Sequence, residues 1–185
     1  TPFIDPMCGS GTLCIEAAMK AMHVPPGWRR QKFGFMKWRD FDHALWQDVL
    51  AGARAKIMLK PPAPIAGFDK DGRAIEAAAA NAKAAKLGSA ITFAQQPVDA
   101  MLPIGDCPGV IVMNPPYGKR ISDDKDLQAL YKSIGDTLKH KMKGWTAFIF
   151  TGNLEMAKFI GLQTSRRVAL YNGPIECRLL QYKLY

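Results

Sequence analysis

The chain has 185 residues, 48% of them hydrophobic, which is enough for one domain with a substantial core. Lysine and arginine outnumber aspartate and glutamate by 25 to 16, a formal net charge of +9, which favours a polyanionic partner such as nucleic acid, although a basic surface can also serve solubility alone. No apolar run approaches the ~20 residues that cross a bilayer, and no signal segment opens the chain, so we expect a cytoplasmic protein. The four cysteines lack paired spacing and the three histidines are scattered, so we expect reduced, mostly packed thiols and no metal site.

Strands and helices alternate along the predicted structure, which indicates a parallel sheet covered on both faces. The last two extended runs flank Asn172-Gly173, a strong hairpin signal, so we expect the sheet to end in an antiparallel hairpin. Since the first strand starts the chain abruptly, we also expect a domain of a longer protein. The predicted strands are 3–5, 65–68, 91–94, 110–113, 145–151, 167–171 and 175–185, and the predicted helices are about 12–22, 42–58, 71–87 and 124–142, with Gly88 ending the third helix.

Residues 23–41, between the first two helices, form a predicted insertion. Within it, 28–39 interleaves four aromatic with five basic residues and no acid. Cations can bind phosphates while rings stack on unpaired bases, which would make an RNA-contacting surface. Alternatively, Phe33, Phe35 and Trp38 pack the segment onto the domain. The candidate RNA-binding residues are Arg29, Arg30, Lys32, Lys37 and Arg39, with Lys119 and Arg120 further along the chain.

A glycine-containing loop, 5–12, connects the first strand to the first helix. Ligands of such sheets bind at the carboxyl ends of the strands. The third glycine of a dinucleotide-binding fingerprint would fall on Cys14, and no GxxxxGK[ST] phosphate loop is present. The loop therefore permits a close backbone approach without a phosphate cradle, which favours a phosphate-free nucleoside cofactor such as S-adenosylmethionine.

Two acids follow the second and third strands. Asp69 can accept hydrogen bonds from both hydroxyls of a ribose, or it can cap the next helix, for which Asp71 is the better candidate. Asp99 can accept from an adenine amino group, or it is a solvated loop acid. Both positions suit a nucleoside at the carboxyl edge of the sheet.

The tetrapeptide Asn114-Pro115-Pro116-Tyr117 follows the apolar strand 110–113 directly. The prolines hold the chain extended and leave carbonyl oxygens facing a ligand. An amide oxygen, carbonyl oxygens and an aromatic face can together grip a flat amino group while it receives a methyl group. A tight turn after a buried strand is the alternative.

The motifs at 5–12 (DPMCGSGT), 67–71 (GFDKD), Asp99 and 114–117 (NPPY) resemble, in order and spacing, class I S-adenosylmethionine-dependent methyltransferases that modify exocyclic amino groups. More narrowly, 32–46, 114–120 and 172–179 resemble the bacterial 23S rRNA guanine-N2 methyltransferases that carry a THUMP domain. The resemblance runs nearly from end to end of the chain.

This resemblance implies an α/β, Rossmann-like fold with seven mostly parallel strands, a C-terminal antiparallel hairpin and helices on both faces. It also implies 23S rRNA as the partner and an upstream THUMP domain that this chain lacks, together with an N-terminal segment that helps to form the cofactor pocket. Carried over by motif, the catalytic clamp is Asn114, Pro115, Pro116 and Tyr117, and the S-adenosylmethionine contacts are Asp5, Pro6, Cys8, Gly9, Ser10, Gly11, Thr12, Asp69, Lys70, Asp99, Ala100 and Asn114.

Other functions stay open on the sequence alone. NPPY-type clamps also serve adenine-N6 of DNA and glutamine-N5 of proteins, although the basic insertion argues against a small protein acceptor. A catalytically idle RNA-binding module is a further alternative. An NAD-dependent oxidoreductase is disfavoured by Cys14 at the third fingerprint position.

Overall fold

Seven strands and five α-helices make up residues 1–117 and 124–185, which are the residues that this computed structural model describes. Short 3₁₀ helices span Gly34–Lys37, Val98–Ala100 and Lys158–Ile160. The strands are β1 (Phe3–Asp5), β2 (Ile65–Asp69), β3 (Thr92–Gln95), β4 (Val110–Met113), β5 (Thr146–Thr151), β6 (Arg166–Asn172) and β7 (Ile175–Lys183). The helices are α1 (Thr12–Ala21), α2 (His43–Arg54), α3 (Gly72–Ala84), α4 (Asp124–Lys141) and α5 (Leu154–Ala157).

The strands form one sheet in the order β3-β2-β1-β4-β5-β7-β6. Neighbours from β3 to β5 are parallel, whereas β7 is antiparallel to both β5 and β6. The predicted fold class is therefore confirmed. The strand order reverses between β1 and β4, and such a switch point opens a crevice at the carboxyl ends of the strands.

Two apolar clusters cover the two faces of this sheet. On one face α1 and α3 supply small residues, among them Cys14, Ala18 and Ala78. On the other face α4 packs long side chains such as Leu138 against Ile111 and its neighbours. In contrast, α2 contributes no buried residue.

The third helix ends earlier than its sequence predicts. The helix α3 stops at Ala84 rather than near Gly88, because Lys86 takes a left-handed conformation with φ of 62° and the Leu87 amide donates to the Ala82 carbonyl at 2.8 Å. This is a helix stop of the kind that glycine usually makes, and the buried side chain of Leu87 fixes it. Because the left-handed residue is a lysine and not a glycine, the sequence does not indicate this helix end.

The predicted hairpin is confirmed, but Asn172 is not in its turn. Asn172 pairs with Ile175, so the two-residue loop is Gly173-Pro174, with Gly173 at a left-handed φ of 59°. Asn172 is thus the last residue of β6 and its side chain is available for other contacts. Among the described residues, α2 also ends four residues before its predicted end, and α5 has no counterpart in the prediction.

No helix in 1–117 or 124–185 combines the length and apolarity needed to span a membrane.

Candidate active site

A cavity of about 500 Å³ lies at the carboxyl ends of β1, β2 and β4. Six residues predicted from the sequence line it, namely Pro6, Asp69, Lys70, Asp99, Asn114 and Pro116, together with the unpredicted Met7, Pro97, Val98, Leu130 and Ser133. The unpredicted residues are mostly apolar, and apart from Met7, which lies within the 5–12 motif, they belong to no motif of the sequence. A larger cavity of about 770 Å³ lies beside the other ends of β1 and β4, but its lining is mainly apolar. The smaller cavity has the carboxylates and the amide that a polar nucleoside needs.

The loop after β1 is fixed by backbone hydrogen bonds to the next strand. The Cys8 amide donates to the Phe68 carbonyl at 2.9 Å, and the Gly11 amide donates to the Cys8 carbonyl at 2.8 Å. Gly11 has a left-handed φ of 85°, and a Cβ atom there would lie 3.0 Å from the Ala78 Cβ atom. Only glycine therefore fits at Gly11 without a shift of α3.

Asp69 connects this loop to the start of α3. Its Oδ2 atom accepts from the Gly9 amide at 3.0 Å, and its Oδ1 atom accepts from the Asp71 amide at 3.0 Å. Asp71, and not Asp69, caps α3 by accepting from the Arg73 amide at 3.0 Å. Because each carboxylate oxygen of Asp69 keeps a further lone pair, this side chain can still accept from the hydroxyls of a ligand.

Asp5 is a buried acid next to Asp69, with an exposed fraction of 1%. Its Oδ1 atom accepts from the Met7 amide at 3.1 Å. Burial, with a smaller contribution from the charge of Asp69, raises the pKa of Asp5 to about 7, and the hydrogen bond from Met7 opposes this rise. Asp5 lies behind the loop and not in the lining of the cavity. With a pKa near neutrality, it makes this part of the fold sensitive to pH.

The cysteines near the loop are inert thiols. Burial raises the pKa of Cys8 to about 12, with smaller contributions from Asp5 and Asp69, and burial also raises the pKa of Cys14. Neither is ionised at neutral pH, so neither acts as a nucleophile. All four cysteines are free, although Cys107 is exposed rather than packed. In the part of the chain that the structure describes, no group of three or more His, Cys, Asp or Glu side chains could hold a metal ion.

Not every predicted cofactor residue faces the cavity. Asp99 is exposed in the 3₁₀ helix after β3 and lines the cavity, whereas Ala100 beside it does not. Ser10 and Thr12 are exposed, and their hydroxyls lie 3.5 Å apart. Cys8, Gly9, Ser10, Gly11 and Thr12 shape the loop from outside the lining.

The Asn114–Tyr117 segment follows β4 with trans peptide bonds only. The Pro116 carbonyl accepts from the Tyr131 hydroxyl at 3.4 Å, and this hydroxyl also lies 2.9 Å from Thr151 Oγ1. Burial raises the pKa of Tyr131 to about 12, so this phenol stays protonated and can donate. Within 1–117 and 124–185, the exposed amide of Asn114 has no hydrogen-bond partner. It is free to bind a ligand in the cavity.

Tyr117 is held by the hairpin, a contact that the sequence does not reveal. Its hydroxyl accepts from the Asn172 amide at 2.9 Å, and its ring meets the edge of Phe150 at a centroid distance of 6.2 Å. Burial raises the pKa of Tyr117, which the hydrogen bond from Asn172 opposes. Its phenol is thus neutral and oriented.

The insertion forms an aromatic cluster of its own. Phe35 packs on Phe33 and Trp46 at centroid distances of 5.3 and 5.1 Å, whereas 69% of Trp38 is exposed. The ring of Trp38 also lies 6.4 Å from that of Phe35. These contacts join the insertion to α2 rather than to either apolar cluster of the sheet, so the rings do not pack the segment onto the core. The five basic candidates Arg29, Arg30, Lys32, Lys37 and Arg39 are all exposed, and Lys119 and Arg120 lie outside the described residues.

The chain matches the family described as RMKL-like, methyltransferase domain, over residues 1–181. It is 42% identical over 185 residues to the Synechocystis sp. protein slr0064, provisionally named an RNA methyltransferase. It is also 42% identical over 183 residues to the ribosomal RNA large subunit methyltransferase K/L of Methylococcus capsulatus. The chain spans 48% of the first relative and 25% of the second.

A solved structure has the same fold. The crystal structure of SMU.472 in complex with SAH superposes with a TM-score of 0.90 at 35% identity, and the match covers 100% of this chain and 48% of that one.

Proposed function

Because this chain belongs to the family of RMKL-like methyltransferase domains, we propose that it transfers a methyl group from S-adenosylmethionine to the exocyclic N2 amino group of a guanine in 23S rRNA. The observation that carries the proposal is one cavity that joins the Asp69 carboxylate to the exposed amide of Asn114. The Asp69 carboxylate suits the hydroxyls of a ribose and the Asn114 amide suits an amino group, so cofactor and acceptor would meet in this cavity.

The residues around this cavity fit the cofactor. Its volume of about 500 Å³ lies in the range of small-molecule sites. Asp69 would accept from the ribose hydroxyls, Asp99 would accept from the adenine amino group, and the apolar side chains of Val98 and Leu130 would pack on the base. When bound, S-adenosylmethionine supplies a methyl group on a positively charged sulfur, an electrophile that a weakly nucleophilic nitrogen can attack.

The clamp would work by orientation. A guanine amino nitrogen has its lone pair delocalised into the ring, so it is a poor nucleophile. If its two N–H groups donate to Asn114 Oδ1 and to the Pro115 carbonyl, the lone pair points at the incoming methyl group. Removing the base from its stack costs a few kcal/mol, and stacking on Tyr117 would return about 1–3 kcal/mol.

The RNA partner is supported by charge. Five exposed cations in the insertion and a net charge of +9 suit a phosphate backbone. The Synechocystis and Methylococcus relatives are about two and four times as long as this chain, and we propose that the whole protein carries an upstream THUMP domain. A ribosomal RNA substrate would place the reaction in the cytoplasm.

Calorimetric titration of S-adenosylmethionine into the chain and into Asp69→Ala tests the cofactor site. We expect binding in the parent and at least about a tenfold loss in Asp69→Ala, because charge-assisted hydrogen bonds are removed. Asp71→Ser is the matched control, since it removes a neighbouring carboxylate, keeps a capping hydroxyl and lies outside the cavity lining. Equal affinity in the parent and in Asp69→Ala would contradict the assignment.

Incubation with radiolabelled cofactor and unmodified 23S rRNA, followed by nucleoside analysis, tests the acceptor. We expect N2-methylguanosine. Parallel incubations with DNA and with protein test the other acceptors, which label in adenine-N6 or in glutamine would select. RNA binding without transfer to any of the three would select the idle module.

A further inference from the structure

The ring of Tyr117 is enclosed by two elements far from it in the chain, the end of β5 and the end of the β6–β7 hairpin. A Cβ atom on Gly152 would lie 3.0 Å from both Cδ2 and Cε2 of the Tyr117 ring, and 2.9 Å from Ile175 Cγ2. One side of the ring therefore rests directly on backbone, and a larger residue than glycine would displace it. This contact, with the edge of Phe150 at 86° to the ring plane, limits rotation of the ring about its own axis.

The far end of the same ring is fixed by the hairpin. Asn172 Nδ2 donates to the Tyr117 hydroxyl at 2.9 Å, and Cys177 Sγ, with an exposed fraction of 1%, lies 3.9 Å from the same oxygen. The hydroxyl lies on the long axis of the ring, so this hydrogen bond fixes the direction of that axis. Together with Gly152, it leaves the ring one orientation.

Asn172 is free for this role because it does not form the turn. It is the last paired residue of β6, opposite Ile175, and residues at alternate positions of β7 place Ile175 and Cys177 on one face of the hairpin. The pair Tyr171 and Glu176 lies on the opposite face. The face of the hairpin that contacts Tyr117 is therefore opposite to the face that carries Tyr171 and Glu176.

We propose that Asn172 is a positioning residue for the acceptor base, which acts by holding the Tyr117 ring in the plane on which that base stacks. The inference rests on the proposed amino-methyl transfer, and it adds the hairpin to the machinery of the acceptor site. Asn172 would touch neither the base nor the cofactor, so its effect passes through Tyr117 alone.

A double-mutant cycle tests this dependence. Tyr117→Phe removes the hydroxyl and keeps the ring, and Asn172→Ala removes the donor. We expect each single variant to lower kcat for 23S rRNA by about tenfold, and the double variant to fall no further than either one, with unchanged affinity for S-adenosylmethionine. Glu176→Ala, which changes the opposite face of the same hairpin, is the matched control and keeps the parent kcat.

A spectroscopic measurement reports on the contact without any turnover. In protein labelled with ¹³C at the tyrosine Cζ atoms, the Tyr117 signal is identified by its loss in Tyr117→Phe. We expect the pKa of Tyr117 to rise further in Asn172→Ala, because the amide donor that opposes the rise is gone. Glu176→Ala leaves that signal unchanged.

The outcomes separate this inference from the proposed function. Additive losses of kcat in the double variant, or an unchanged pKa of Tyr117 in Asn172→Ala, would overturn the positioning role while methyl transfer by the parent still stood. Absence of transfer by the parent to any guanine amino group would overturn the proposed function, and this inference with it.

Discussion

The loops at the carboxyl ends of β1 and β2 and the insertion before α2 both carry predicted ligand-binding residues, but they are held in opposite ways. The loops are joined by bonds between distant residues, such as Gly9 to Asp69, sixty positions apart, over the almost fully buried acid Asp5. The insertion is held by rings close in sequence, and α2 buries no residue in either core. The first region is thus part of the fold, whereas the second is attached to it. Changes in the loops should alter stability and cofactor binding together, and changes in the insertion should alter RNA binding alone.

The strongest test of this contrast is the pH dependence that Asp5 gives to folding. The pKa of Asp5 is about 7 in the folded chain against an ordinary value of 3.8. Between those pH values Asp5 is therefore ionised in the unfolded chain and protonated in the folded chain. The free energy of unfolding should therefore fall as pH rises from about 4 to about 8, by up to about 4 kcal/mol.

Asp5→Asn should flatten this decline, since the amide cannot ionise but still accepts from Met7. Urea denaturation of both proteins at pH 5 and pH 8 measures the difference. Parallel pH profiles for the two proteins would show that Asp5 is charged in the folded chain and would weaken the contrast between the regions.

The next test separates the clamp from the loops at the same cavity. Asn114→Ala should lower kcat for methyl transfer by about 10²–10³-fold, as loss of one oriented polar group at a reacting centre does. The affinity for S-adenosylmethionine should change less than about twofold, because Asp69 carries the hydrogen bonds to the ribose. Single-turnover transfer and calorimetry on one preparation measure both quantities. A loss of cofactor affinity as large as the loss of rate would assign Asn114 to cofactor binding and not to the clamp.

The smallest expected effect comes from the insertion. Replacing Arg29, Arg30 and Lys32 with alanine should weaken RNA binding and reduce the slope of log affinity against log salt by about 2 to 3. Thermal stability should stay that of the parent, since all three side chains are exposed.

The matched control removes three exposed cations elsewhere, at Arg73, Lys83 and Lys139. A salt slope that falls equally in both triple variants would make the effect one of net charge and not of the insertion.

The sheet, its hairpin and the order of its motifs follow from local patterns, because alternation, apolar runs and an Asn-Gly step are encoded within a few residues. Local patterns do not predict the burial of Asp5 or the hydrogen bond from Gly9 to Asp69, since each depends on strands that come together from distant parts of the chain. The end of α3 at Ala84 has the same cause, because the left-handed turn at Lys86 is fixed by burial of Leu87. Similarly, the sequence predicts a hairpin at Asn172 but not that this side chain reaches Tyr117, fifty-five residues away.

The contact between Gly11 and Ala78 has a consequence for how the chain tolerates change. The alanine-rich run of α3 reads as uniform, yet only Ala78 and Ala82 are buried, whereas Ala77, Ala79 and Ala80 are exposed. A saturation library across this helix should therefore show a narrow set of permitted residues at every fourth position and a broad set between them. Position 78 should accept little larger than alanine because it is fully buried, and position 11 should accept only glycine, since a Cβ atom there would lie 3.0 Å from the Cβ atom of residue 78. We therefore expect the size of the residue at position 78 and the presence of glycine at position 11 to covary among related sequences.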